Sequence, residues 1–305
     1  MKKLLFFLLI LLLVTISVHS QQPPPPPILK FVLQWPPTFC PTLNSDKQKW
    51  GRCQEPIRQR EFTLHGLWPA DADGYSIKCA GQPDPNWDKL LLRIEKTLET
   101  FWPPLRENSN KRDIWKHEWR AHGACGGTTP QEYFERAIKI NDMLEKGNLF
   151  NYLATSGIIA CDSLAFSKKD IVEAVRKVFI PSSPPPPPRS PPPPPRSPPP
   201  PIRSPPPPPP PPPALDVYLT CIPIDKNKTH VYLSEVTLCT NPDGTKFISC
   251  PSGAAPTSCS SGAKIMLPHS KAQPPAPSPP RLFQEERDGT YPTFEQSWAK
   301  YIFNH

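Results

Sequence analysis

Between Pro184 and Pro213, 23 of 30 residues are proline, and a stretch of that composition joins no packed core. Each proline removes a backbone donor and fixes φ near the polyproline II value. The tract therefore reads as a linker or a loop, with Arg-Ser recurring inside it at 189–190, 196–197 and 203–204. As one straight polyproline II rod it would span about 90 Å. A domain made from the flanking pieces is only about 43 Å across, so a tract inserted within one domain must bend. The Arg-Ser and Ile202-Arg203 positions are where bending is expected, with the tract looping into solvent. Smaller proline-rich pieces lie at 23–27 and 274–280.

Outside these tracts the chain has the spacing of one interrupted domain. Apolar residues alternate at 28–35 and 62–67, which predicts strands, and Leu90, Leu91, Ile94, Leu98 and Phe101 predict a helix over 87–101. Pro103 and Pro104 end it. A helix is expected over 130–144, entered from Thr128-Thr129 with Pro130 in its first turn. Another is expected over 168–179, where Ser167 and Asp170 resemble a capping box. After the tract, strands are expected at 216–224, 230–239 and 246–250, the last two joined by an Asn241-Pro242-Asp243-Gly244 turn. The whole reads as α+β: a central antiparallel sheet with several helices, in a single domain split into 28–181 and 214–270 by an insertion at 182–213. Residues 271–305 form a tail in which Phe294, Trp298 and Ile302 have helical spacing; docking on the domain is expected.

At the N-terminus, Lys2 and Lys3 precede an apolar run from Leu4 to Val18, and Ser20 is followed by Gln21. This is the pattern of a secretory leader cleaved after residue 20, leaving a proline-rich segment at 21–27. A membrane helix needs about 20 apolar residues; no later stretch approaches that, so no membrane association is expected. Without Lys2 and Lys3 the balance is 33 basic against 27 acidic side chains. A basic chain is drawn to polyanions, RNA or acidic wall polysaccharide alike. Nine cysteines behind a leader imply a disulfide framework with one left over. No C-x-x-C pair suggests structural zinc, and Asn227-Lys228-Thr229 is a glycosylation sequon.

Two segments concentrate unusual side chains: Phe62-Thr-Leu-His-Gly-Leu-Trp-Pro69 and Lys116-His-Glu-Trp-Arg-Ala-His-Gly-Ala-Cys125. On a helix, Glu118 and His122 lie one turn apart on one face, where a carboxylate orients an imidazole and raises its basicity. Such a pair is either catalytic or a surface ion pair, and the residue types alone leave both open. Trp115 and Trp119 offer an apolar floor, and Gly123 permits close backbone approach. Metal ligation by His65, His117 and His122 is a further option, although the i, i+4 histidines of a zinc-protease helix are missing.

Taken together, the two segments resemble the paired active-site motifs of the ribonuclease T2 family, which includes plant S-like and self-incompatibility ribonucleases. Phe31-Val-Leu-Gln-Trp-Pro-Pro37, Phe101-Trp-Pro103 and the C-terminal hairpin extend the resemblance to 28–181 and 214–268. It implies an RNA-cleaving enzyme without metal or other cofactor, with His65 as general acid, His122 as general base, Glu118 assisting and His117 helping to hold phosphate. It further suggests that Gln34, Trp68, Leu105 and Ile114 contact bases, core packing being the alternative for Trp68 and Ile114. Implied bridges are Cys40–Cys53, Cys79–Cys125, Cys221–Cys259 and Cys239–Cys250, with Cys161 a buried free thiol. Relatives carry lysine where this chain has Ala121, with Arg120 one place earlier, and a polar residue where it has Ala70. The function implied is a secreted, monomeric endoribonuclease of low base specificity. It would yield 2′,3′-cyclic phosphates from single-stranded RNA in the wall or vacuole, in phosphate recovery, defence or turnover. The alternatives are a weakened member that binds RNA or a partner, suggested by Ala121, and a wall-associated glycoprotein, suggested by the extensin-like Ser-Pro repeats.

Overall fold

The computed structural model describes residues 26–45, 53, 60–81, 87–107, 110–144, 148–179 and 215–269. The leader, the proline tract and the tail with Phe294, Trp298 and Ile302 lie outside the described residues.

Strands from both sides of the proline tract build one sheet. Strand β1 (Ile28–Gln34) lies between β2 (Thr63–Ala70) and β4 (His230–Thr240), and β3 (Tyr218–Pro223) flanks β4, all antiparallel. Strand β5 (Phe247–Ile248) pairs with β4 across the expected turn, and β6 (Lys264–Met266) runs parallel to β4. The class is the α+β expected from the sequence. On either side of the tract, the Arg176 side chain donates to the Leu215 carbonyl at 3.0 Å and pairs with Asp216 at 2.9 Å.

The helices follow their local signals. Helix α1 (Pro36–Ser45) was not expected; proline suits the first turn of a helix, where no N–H is needed. Helix α2 (Trp87–Phe101) turns Trp87, Leu91, Leu98 and Phe101 into the core and leaves Leu92 exposed. Helix α3 (Lys111–Glu118), capped by Asn110, continues into a π-helical turn, Trp119–Gly123. Helix α4 (Pro130–Asp142) opens with a complete capping box between Thr129 and Glu132, and α6 (Lys168–Arg176) with Ser167 accepting from the Asp170 N–H. The short α5 (Leu149–Ala154) is capped by Asn148, whose side chain also bonds the backbone of Phe62 in both directions.

One large core lies between the helices and one sheet face, with Leu29, Phe31 and Leu33 of β1 and the aromatic group Trp102, Trp115, Tyr133 and Phe134. Burial of this kind contributes roughly 25 cal/mol per Å² of apolar surface. The other face carries Lys30, Val32 and Gln34, and it is there that the polar residues of β2 and β4 collect.

Two bulges set that collection. In the β1–β2 pairing, Val32 faces Gly66 but Leu33 faces Leu64, so His65 is the extra residue of a β-bulge. In the β3–β4 pairing, Thr220 faces Glu235 but Cys221 faces Leu233, so Ser234 is extra. Leu64 with Leu67, and Leu233 with Val236, can therefore both be fully buried although three apart in a strand. The residues between them are turned out of the regular pleat.

Four disulfides tie the described segments: Cys40–Cys53, Cys79–Cys125, Cys221–Cys259 and Cys239–Cys250. Cys161 is a free thiol, but partly exposed rather than buried, with Sγ 3.2 Å from the Ser163 hydroxyl. Residues 162–165 after it are exposed, and its N–H donates to the Leu267 carbonyl.

Candidate active site

Trp68 is where the two motifs meet. It is half-buried on β2, and its indole Nε1 donates to Glu118 Oε2 at 3.0 Å. His65 meets it edge-on and His122 stacks along it, each with ring centroids 5.1 Å away. Gly66 makes this approach possible: a Cβ there would lie 2.1 Å from Trp68 Nε1 and 2.2 Å from Glu118 Oε2.

His65 is held from two directions. Its backbone carbonyl, displaced from the ladder by the bulge, accepts from the buried Trp102 indole at 3.0 Å, and Trp115 in turn donates to the Trp102 carbonyl. Its ring Nδ1 lies 2.6 Å from Glu235 Oε1, which reaches across from β4. The second motif is held by its own irregularity. The Arg120 and Ala121 carbonyls of the π-turn accept from Gly81 and Cys79 N–H, and the Cys79–Cys125 bridge fastens the turn's end to the same segment. Gly123 packs under Trp119, where a Cβ would come within 2.4 Å of the ring.

The π-turn changes the expected relation of Glu118 and His122. An α-helical spacing of four would stack them directly; among the described residues no hydrogen bond joins them, and both converge on Trp68 instead. Nor is His122 made more basic. Burial, with the charges of His117, His65, Lys30 and Lys78, pushes it down to about 3.

His65 goes the other way. Burial pulls its pKa down, but the hydrogen bond and charge of Glu235, with Glu118 behind it, outweigh burial and the opposing Arg106, so the net shift is upward. Burial pushes the Glu118 carboxyl up to about 7, despite the His65 charge and the Trp68 hydrogen bond. Lys30 is buried under a bond to the Gly74 carbonyl at 3.0 Å and lowered to about 8, chiefly by that burial. Two imidazoles thus lie with ring centroids 5.1 Å from one indole and are shifted in opposite directions.

The remaining expected residues are spread around this centre. Gln34 is buried on β1, in register with Thr63 and Glu235. His117 ends α3 within electrostatic reach of His122. Leu105 packs against the Cys40–Cys53 cluster, and Ile114 against the main core. Sequence reasoning missed Glu235, Lys30 and Arg106. For Glu235 a signal existed, since Leu233 and Val236 break the strand's alternation around it just as Leu64 and Leu67 do around His65. Among the described residues no group of three His, Cys, Asp or Glu side chains is placed to hold a metal ion.

Residues 27–182, just over half of the 305-residue chain, match the Ribonuclease T2 family. The chain is 32% identical over 156 residues to Ribonuclease 3 of Arabidopsis thaliana, covering 48% of this chain and 64% of that protein. It is 34% identical over 114 residues to Ribonuclease MC of Momordica charantia, covering 37% of this chain and 56% of that protein. It thus spans less than two thirds of either relative. Its fold matches RNase NT in complex with 5′-AMP with a TM-score of 0.57, at 22% identity over 80% of this chain and 98% of that one. On the family match, reinforced by the shared fold, the chain belongs to the ribonuclease T2 family.

Proposed function

We propose that the protein is a secreted endoribonuclease that cleaves single-stranded RNA by transphosphorylation. His122 is the general base and His65 the general acid. The observation that carries this reading is the opposite displacement of the two imidazoles across Trp68. A ring lowered to about 3 is neutral at physiological pH and takes the 2′-hydroxyl proton. As the O2′–P bond forms and the P–O5′ bond breaks, the protonated His65 gives its proton to the departing 5′-oxygen. The products are a 2′,3′-cyclic phosphate and a free 5′-hydroxyl. Glu118 supports the site through Trp68, and His117 with Lys30, Lys78 and Arg106 supplies positive potential around the phosphate.

Low base specificity follows from using the half-buried Trp68 face as a stacking surface, with Gln34, Leu105 and Ile114 as edge contacts. Four disulfides and the leader pattern support secretion, and the exposed Asn227 on the β3–β4 turn supports glycosylation. We assign the domain bounds 28–181 and 214–270 to the catalytic unit, acting as a monomer in the wall or vacuole. The proline tract is assigned to an acidic wall polysaccharide.

The purified chain, incubated with matched single-stranded RNA and DNA with and without chelator, tests this reading. RNA is cut equally in both conditions and DNA is left intact, because attack needs the 2′-hydroxyl and every proton is moved by a side chain. Cleavage lost in chelator and restored by zinc contradicts the two-histidine chemistry. Binding of RNA without cleavage replaces the enzyme by a binding protein.

A further inference from the structure

The family motifs contain His65, Glu118 and His122; Glu235 lies 170 residues from His65 in sequence and in neither motif. Its carboxylate nevertheless lies 2.6 Å from Nδ1 of the His65 ring, with both side chains largely buried at 8% and 17% exposure. Two coincident backbone devices create this contact. The His65 bulge in β2 and the Ser234 bulge in β4 each break the pleat, and they do so on strands separated only by β1. Glu235 sits opposite Gln34 of β1, and its side chain crosses β1 to His65.

We propose that Glu235 is the positioning residue of His65. It accepts a hydrogen bond from Nδ1–H and so leaves Nε2 as the atom that hands a proton to the departing 5′-oxygen. This rests on the reading of His65 as general acid. An imidazole has two nitrogens, and which of them exchanges its proton with substrate is set by the bond the other makes. A carboxylate on Nδ1 keeps that proton in place before and after transfer, so that only the Nε2 proton is spent and the ring does not turn over between cycles. It also favours the imidazolium, the form an acid must have before the reaction, as a charge-assisted bond at this length does.

The groups facing His65 come from four directions. Glu235 on β4 and Glu118 at the end of α3 favour its charge, Arg106 after α2 opposes it, and His122 in the π-turn is itself lowered by it. Lys30 on β1 lies within electrostatic reach of Glu235. Among these, only Glu235 contributes both a hydrogen bond and charge to His65.

The test is the titration of the His65 ring followed by NMR, with kcat and KM against pH, in the wild type and in Glu235→Gln, Glu235→Asp and Glu235→Ala. Glutamine keeps the shape and an acceptor oxygen but not the charge. In Glu235→Gln the His65 midpoint falls by about 1–3 units, the range an opposite charge produces. The alkaline limb of kcat moves down with it, while KM is unchanged. Glu235→Asp gives an intermediate midpoint, a rescue that packing alone does not produce. His122 keeps its own titration in every variant. A His65 midpoint and alkaline limb unmoved in a folded Glu235→Gln protein overturn the inference, even if Glu235→Ala fails to fold. The titration is read without turnover. A wild type that does not cut RNA thus refutes the proposed function, whereas an unmoved midpoint in an active enzyme refutes the role of Glu235 alone.

Discussion

Alanine at His65 or at His122 lowers kcat by about 10²–10⁴, the usual contribution of a positioned proton donor or acceptor. The double replacement costs little more than the worse single one, because an acid and a base that act in one step lose their worth together. The pH profiles distinguish the two. His65 must be protonated, and its folded pKa is raised, so wild-type activity is lost as pH rises through that raised value. His122 must be neutral and is lowered to about 3, so its limb lies far into acid. Residual activity in His65→Ala has no alkaline limb from this ring, and that in His122→Ala keeps it. Steady-state kinetics of the three variants check both statements. Additive losses mean that one histidine binds substrate rather than moving a proton.

Gly66→Ala is the second change with a large effect, although it removes no polar or ionisable group. The new methyl lies 2.1 Å from Trp68 Nε1 and 2.2 Å from Glu118 Oε2, closer than atoms approach without one of them moving. Both ends of the Trp68–Glu118 hydrogen bond are pushed apart, and the indole that contacts both histidines is displaced. A misplacement near 1 Å costs about 10²-fold in rate, and overpacking costs about 1–3 kcal/mol in stability. We expect kcat to fall by that order while the protein stays folded. Trp68→Phe, which keeps an aromatic face but loses the donor, falls less. Thermal unfolding measured beside kcat separates the two effects; a Gly66→Ala enzyme within twofold of wild type contradicts the role given to this contact.

How much of this was legible in the sequence depends on the range of the signal. Helix α2 announced itself through Leu91, Leu98 and Phe101 over several turns, and α4 through Thr129 and Pro130 at its start, because those patterns are local. Helix α5 and strand β6, six and three residues long, are too short to show a period. The two motifs carrying His65, Trp68, Glu118 and His122 were visible as concentrations of unusual side chains, and the structure brings them together at one indole. Their relation was not legible. The spacing of Glu118 and His122 implies a stacked pair only if the helix is regular, and the π-turn that redirects His122 depends on Cys79 and Gly81 arriving from another segment. Glu235 had a local mark, the broken alternation between Leu233 and Val236, but its partner is fixed by sheet order, which no window of sequence contains.

If two imidazoles move one proton each while the 2′-oxygen attacks phosphorus, cleavage requires a ribose at the cut site. An oligodeoxynucleotide carrying a single ribonucleotide, incubated with the protein in chelator and followed by mass spectrometry, tests it most directly. The expected result is one cut, immediately 3′ of the ribonucleotide. The upstream fragment first appears one water lighter than its phosphate monoester, as a 2′,3′-cyclic phosphate, and the downstream fragment bears a free 5′-hydroxyl. Cutting at the deoxy positions, or a downstream fragment carrying a 5′-phosphate, would contradict it.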